Sequence, residues 1–170
     1  RMKVAFLTYK ERVEKYTPPG AVPSDWEIVH LGADFTQRDV LEKAADADAV
    51  VVDAVLPVPA ELIAGMRRLK LIHSEGVAFN RIDGKAAAAA GVYVCNNAGV
   101  NASAVAEQAI LLMLAVQRRY HEGEAMVYAA RQAEAKTRFI MEGLPELGDA
   151  HVGLVGFGAI GKETAKRLHA

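Results

Sequence analysis

Residues 70–95 read KLIHSEGVAFNRIDGKAAAAAGVYVC, and this stretch decides the fold. It opens with a short β-prone run (70–74), passes through a small-residue turn, and continues into an alanine helix. Asp83 can accept from the orphan amides at the start of that helix, and Gly91 can take the left-handed stop before the next β-prone run at 92–95. A strand, a helix and a second strand in so few residues form a βα unit of a parallel sheet.

Upstream, the same alternation predicts strands at 3–8, 27–31 and 49–53. Thr36 followed by Asp39 resembles a capping box, with Val40, Leu41, Ala44 and Ala45 as the buried stripe behind it. Pro59 suits the first turn of a helix whose Leu62, Ile63 and Met66 share one face. Residues 16–24, YTPPGAVPS, read as a surface loop.

Downstream, residues 101–119 read as one long helix. Val105, Ala109, Ile110, Leu112, Met113 and Val116 leave it little polar surface, so it needs cover on several sides. Residues 120–149 are richer in charge and weakly periodic, with breaks at Gly143, Pro145 and Gly148, and read as a connector or arm rather than a core. The organisation expected is α/β: a parallel sheet over 1–100, a long helix that sits between domains or between subunits and an arm over 101–149, and over 150–170 the first strand and helix of a dinucleotide-binding domain. Arg1 ahead of Met2 reads as the remnant of an expression tag.

The 170 residues carry 20 basic and 21 acidic side chains, a formal charge of -1 and 52% apolar residues. That balance gives no basic field for nucleic acid and argues against disorder. The longest apolar run, 109–116, falls far short of the roughly 20 residues of a membrane span, so neither nucleic acid nor membrane is expected as a partner. Lone Cys95 allows no internal disulfide and fits a reducing, cytoplasmic setting. None of the five histidines pairs at helical metal-ligand spacing, and no metal site is expected.

Residues 151–170, HVGLVGFGAIGKETAKRLHA, place a buried-type strand (151–155) before a glycine turn and a helix. Gly156, Gly158 and Gly161 match G-x-G-x-x-G in the context that the motif needs. Gly156 allows a tight turn, Gly158 a close backbone approach to a pyrophosphate, and Gly161 close packing of helix on strand. The amides of Ala159 and Ile160 would face the phosphates from the helix N-terminus. The acidic ribose contact expected roughly 20 positions on would fall past Ala170, so NAD is not distinguished from NADP.

A second constellation is the turn at Gly76, Val77 and Ala78 after the fourth strand. In open parallel sheets ligands sit beyond the carboxyl ends of strands, and small residues leave main-chain amides accessible to a carboxylate. Residues 53–56, after the third strand, are candidates for shaping the same pocket. Residues 96–101, NNAGVN, form another polar loop, with Asn101 or Ser103 as the helix cap.

Residues 69–119, from LKLIHSEGVAFN to LAVQRR, followed by VGLVGFGAIGKETAKRL at 152–168, resemble the NAD-dependent D-isomer-specific 2-hydroxyacid dehydrogenases, which include phosphoglycerate, glycerate/hydroxypyruvate and D-lactate dehydrogenases. The resemblance implies a two-domain homodimeric enzyme that passes a hydride between NAD(H) and a small D-2-hydroxy or 2-oxo acid. It makes 1–100 a flavodoxin-like substrate domain, 101–149 an interdomain helix and dimerisation arm, and 150–170 the start of a Rossmann domain, with a cleft between the two domains. It assigns the substrate carboxylate to Gly76, Val77 and Ala78, with Ala78 in place of the usual glycine. Asn101 would border the cleft and Val105 would lie near the nicotinamide. Ala159 stands where an arginine is frequent. The helix and arm of 101–149 would build the dimer interface. The family's catalytic arginine, glutamate and histidine fall in blocks past Ala170, so the chain alone is expected to be inactive.

Two other classes share the fold. A signalling receiver would use Asp53 and Ser74, but the loop Thr8-Tyr9-Lys10-Glu11 lacks the acidic pair that holds its magnesium, and no lysine ends the fifth strand. A non-catalytic small-ligand or interaction module would keep the loops and lack the catalytic blocks.

Overall fold

The computed structural model describes residues 1–169. They form two compact units, one over 1–98 and the other from 99 onward.

The first unit is a five-stranded parallel sheet flanked by helices. Its strands are β1 (Lys3–Leu7), β2 (Glu27–His30), β3 (Ala49–Val52), β4 (Leu71–Ser74) and β5 (Tyr93–Asn96). They lie in the order β2-β1-β3-β4-β5, the flavodoxin-like arrangement. Each of the five strands predicted before residue 100 is present within a residue or so at either end. The helices between them are α1 (Lys10–Tyr16), α2 (Gln37–Ala44), α3 (Ala60–Gly65) and α4 (Gly84–Ala89). The core is aliphatic, with Leu7, Val50, Val52, Leu62 and Ile72 fully buried.

Local signals set the helix ends. Thr36 Oγ1 accepts from the Asp39 amide at 3.1 Å, and Asp39 accepts from the Thr36 amide at 2.8 Å, completing both arms of the capping box. Asp83 accepts from the Ala86 amide at 2.9 Å, and Gly91 takes the left-handed conformation at φ 68°. Pro59 is the N-cap of α3. Within the stripe predicted for α2, Val40 and Ala44 are buried, but Leu41 is 37% exposed. An eight-residue helix on a sheet buries a narrower arc than a four-residue stripe supposes.

The second unit contains α5 (Ala102–Gln117), α6 (Tyr120–Tyr128), α7 (Gln132–Glu142), a 3-10 turn (Leu147–Asp149) and α8 (Ala159–Leu168). The long helix expected at 101–119 is α5, which packs against α8. Arg167 ties the pair, reaching Ser103 at 2.6 Å and Glu107 at 2.9 Å.

One expectation gains detail here and another is corrected. The segment read as a weakly periodic arm holds two helices, α6 and α7, packed on each other. Met126 of α6 and Ala135 of α7 are buried, and the Phe139 ring approaches Gly123. Arg119 and Arg138 pair with Glu122 and Glu142, and both guanidinium groups lie over the Phe139 ring. Charge and cation–π contacts thus add to a small apolar contact, and hydrophobic periodicity does not register them.

The strand expected at 151–155 is not formed: this segment pairs with no other among the described residues, and Val152, Leu154 and Val155 are exposed. An apolar run records a preference for burial, whereas a strand also needs a neighbouring ladder for its amides and carbonyls.

Candidate functional site

The register of the sheet pairs Val52 with Ser74 and Ser74 with Asn96. The loops that follow β3, β4 and β5 therefore leave the sheet side by side at its carboxyl edge. From Glu75 to Ala78, each carbonyl of the loop after β4 is held by a hydrogen bond. Asn97 Nδ2 donates to Glu75 O at 2.8 Å and the Asn97 amide to Gly76 O at 2.9 Å. Asn96 Nδ2 donates to Val77 O at 2.6 Å, and Ser74 Oγ to Ala78 O at 2.5 Å.

Four successive carbonyls are thus satisfied, while the amides of Gly76, Val77 and Ala78 meet no acceptor among the described residues. Val77 and Ala78 are exposed. The arrangement is an anion cradle of bare N–H groups on a rigid base. At Gly76 a Cβ would stand 2.7 Å from the Ala54 Cβ, so only glycine lets the β3 and β4 loops approach this closely. At Ala78 the methyl group is accommodated, and its amide stays as free as that of Val77.

His73 braces the base of the cradle. Because Asn97 donates through Nδ2, its Oδ1 is an acceptor, and His73 Nε2 donates to it at 3.1 Å. His73 Nδ1 then faces the Cys95 thiol at 3.2 Å.

Beside the cradle, Arg12 of α1 links three loops. Its Nη2 donates to Thr8 Oγ1 at 2.7 Å and to Asp53 at 2.5 Å, and it also pairs with Glu75. Burial works to raise the Asp53 carboxyl, but the Val55 amide and the Arg12 guanidinium outweigh it and hold it below the usual carboxylate range. Arg12 itself is shifted upward, chiefly by its hydrogen bond to Asp53. Asp53 and Ser74 are therefore engaged by Arg12 and by the Ala78 carbonyl.

Sequence reasoning passed over Arg12, the Glu75 carboxylate, and Asn96 and Asn97 as loop holders. Polar residues at successive strand ends were the available signal, but it does not distinguish a helix cap from a brace.

In the second unit, the glycine turn leads into α8, with each glycine present for a different reason. Gly156 has φ 98°, which side chains resist. At Gly161 a Cβ would lie 2.4 Å from the Gly156 carbonyl oxygen, so its contact is with the turn itself rather than with a strand. At Gly158 a Cβ would meet nothing within 4 Å, leaving its approach open.

Gly158 is the N-cap of α8. Its carbonyl takes the Lys162 amide at 3.0 Å, while the amides of Ala159, Ile160 and Gly161 meet no acceptor among the described residues. Free N–H groups and the positive end of a helix fit the pyrophosphate of a dinucleotide.

Asn101 is the N-cap of α5, yet its side chain makes no cap bond; Ser103 instead bonds Glu107 and Arg167, so neither caps as expected. Asn101 and Val105 are both exposed. Each belongs to the same unit as the glycine turn, whereas Gly76, Val77 and Ala78 belong to the other.

A parallel sheet in the order β2-β1-β3-β4-β5, with a bare-amide loop at its carboxyl edge, defines the class as α/β with a flavodoxin-like sheet. The sequence narrows it further. A family model described as the D-isomer specific 2-hydroxyacid dehydrogenase catalytic domain matches residues 18–168, and the chain belongs to that family.

Among curated relatives, a glyoxylate reductase of Thermofilum pendens is 34% identical over 143 residues, covering 83% of this chain and 42% of the relative. A D-3-phosphoglycerate dehydrogenase of Archaeoglobus fulgidus is 32% identical over 142 residues, covering 84% of this chain and 26% of the relative. The chain thus spans less than half the length of either. Among solved structures, a D-lactate dehydrogenase from Aquifex aeolicus, complexed with NAD and lactic acid, shares the fold. It aligns with a TM-score of 0.72 at 24% identity, covering 98% of this chain and 48% of that one. No helix among the described residues is long and apolar enough to cross a membrane.

Proposed function

We propose that this chain supplies the carboxylate-binding loop and the first dinucleotide-binding turn of an oxidoreductase that passes a hydride between NAD(H) and a small D-2-hydroxy or 2-oxo acid. The single observation that carries the reading is the loop at 76–78, where the carbonyls are taken and the amides are free. An anion bound there displaces no internal hydrogen bond, and the braced loop needs no reorganisation to receive it.

The coenzyme's contribution is hydride chemistry. This chain's part is to bind and orient. Gly76, Val77 and Ala78 take the substrate carboxylate. Gly158, Ala159 and Ile160 offer amides to the coenzyme pyrophosphate, with Gly156 and Gly161 shaping the turn. Asn101 and Val105, exposed on the unit that carries that turn, serve substrate and nicotinamide respectively. The arginine, glutamate and histidine that polarise the 2-oxo group and move the hydroxyl proton belong to blocks of the family that these 170 residues do not contain.

Leu111, Val127 and Tyr128, exposed on α5 and α6, support a homodimer interface there. The free thiol of Cys95 fits a cytoplasmic protein.

Titrating the 15N-labelled chain with D-lactate and, separately, with ADP tests both loops. D-lactate should shift the amides of 76–78 and ADP those of 158–161. Shifts confined to other parts of the chain would overturn the reading.

A further inference from the structure

We propose that the Arg12–Asp53–Glu75 cluster sets the charge of the accepted substrate, favouring acids with a single anionic group over those carrying a second carboxylate or a phosphate. The inference rests on the reading of 76–78 as the carboxylate site, and it names the substrate class for that site.

The charges decide it. Arg12 contributes one positive charge, while Asp53 and Glu75 contribute two negative ones, so the cluster is net negative by one. Asp53 is held below the usual carboxylate range, and Glu75 is paired with the same guanidinium. Their side chains are 13% and 21% exposed, so water screens them less than it would surface charges.

The position follows from the chain itself. Glu75 immediately precedes Gly76, and consecutive Cα atoms stand about 3.8 Å apart, so its carboxylate lies within a few residues' reach of the cradle amides. Glu75 is also fixed on three sides. Its amide donates to Val52 O at 2.9 Å, its carbonyl accepts from Asn97, and its carboxylate is held by Arg12. It therefore cannot swing away to relieve repulsion. Asp53 is fixed likewise, its amide donating to Leu7 O at 3.2 Å and its Oδ1 accepting from Val55 at 3.0 Å.

The first carboxylate of a substrate is compensated by direct N–H contacts. A second anionic group has no such compensation from the cluster and meets its excess negative charge. Arg12, Asp53 and Glu75 are positioning residues for the loop, and their surplus charge is the selective element.

The test compares D-lactate with D-malate, which share the 2-hydroxy-carboxylate head and differ by one carboxylate. Affinities are read at pH 7.5 from the amide shifts of 76–78 in the 15N-labelled chain. D-lactate should bind more tightly by on the order of tenfold, as expected from a like charge roughly 10 Å away at an effective dielectric of roughly 20. Glu75→Gln keeps an acceptor for Arg12 and removes the surplus charge, and Asp53→Asn does the same from the neighbouring loop. Each should bring the ratio towards one, and 0.5 M NaCl should shrink the difference in the parent chain, which a purely structural effect would not do.

If D-lactate shifts the loop but the ratio is unchanged in both variants, the charge selection is wrong and the carboxylate reading stands. If neither acid shifts 76–78, the carboxylate reading falls and this inference with it.

Discussion

Asn96 Nδ2 donates to the Val77 carbonyl at 2.6 Å, so the last residue of β5 holds the turn that follows β4. The neighbouring strand thereby becomes the scaffold of the loop. The same sheet register that buries Ile72 and Val52 places Asn96 opposite Ser74, from which the loop begins.

Replacing Asn96 or Asn97 with alanine should loosen the loop. Each change removes at least one hydrogen bond to a loop carbonyl, at a cost of about 1 kcal/mol in folding stability. Urea unfolding should register that loss, and D-lactate affinity should fall more for Asn97→Ala, which also leaves His73 Nε2 without its acceptor. Equal affinity in the parent and both variants would show that the loop is held by other means.

Gly158 and Gly161 should separate folding from binding. Gly158→Ala adds a methyl group into open space, so the variant should fold, with a stability about 1 kcal/mol below that of the parent because alanine is the poorer N-cap. Its ADP-induced shifts at 159–161 should nonetheless be lost. Gly161→Ala brings a carbon to 2.4 Å from a main-chain oxygen and should displace the turn, lowering the thermal midpoint as well. A Gly158→Ala chain that responds to ADP like the parent would refute the assigned role.

Asp48 should govern part of the acid response. It is buried, accepts from the Lys3 amide at 2.9 Å and pairs with Arg68 at 2.9 Å. The Lys3 amide foremost, with Arg68 assisting against the cost of burial, holds its carboxyl below the ordinary value of 3.8. A depressed folded-state value means that the stabilisation is complete above the unfolded value and is lost as pH falls through the folded one. Asp48→Asn should therefore cost about 1–3 kcal/mol at pH 7, with the gap to the parent narrowing as the pH drops below 3.8. Urea midpoints measured at pH 7, 4 and 3 check this, and a constant gap would contradict it.

The strands, the Thr36 and Asp83 caps and the glycine turn were legible in the sequence because each is set by neighbours a few residues away. The hairpin of α6 and α7 was not, since Arg119 and Arg138 act through charge rather than apolar spacing. Residues 151–155 carry the apolar run of a strand without its partner. The bare amides of the loop were foreseeable from Gly76 and Ala78. The brace was not, because Asn97 reaches Glu75 across 22 positions, a pairing that only the sheet register creates.

A crystal structure of the chain grown with D-lactate addresses the carboxylate site most directly. The acid's two carboxylate oxygens should lie about 2.7–3.2 Å from the amide nitrogens of residues 76–78, with the four loop carbonyls still bound to Ser74, Asn96 and Asn97. A carboxylate seated elsewhere, or a loop that must break those bonds to receive it, would contradict the account.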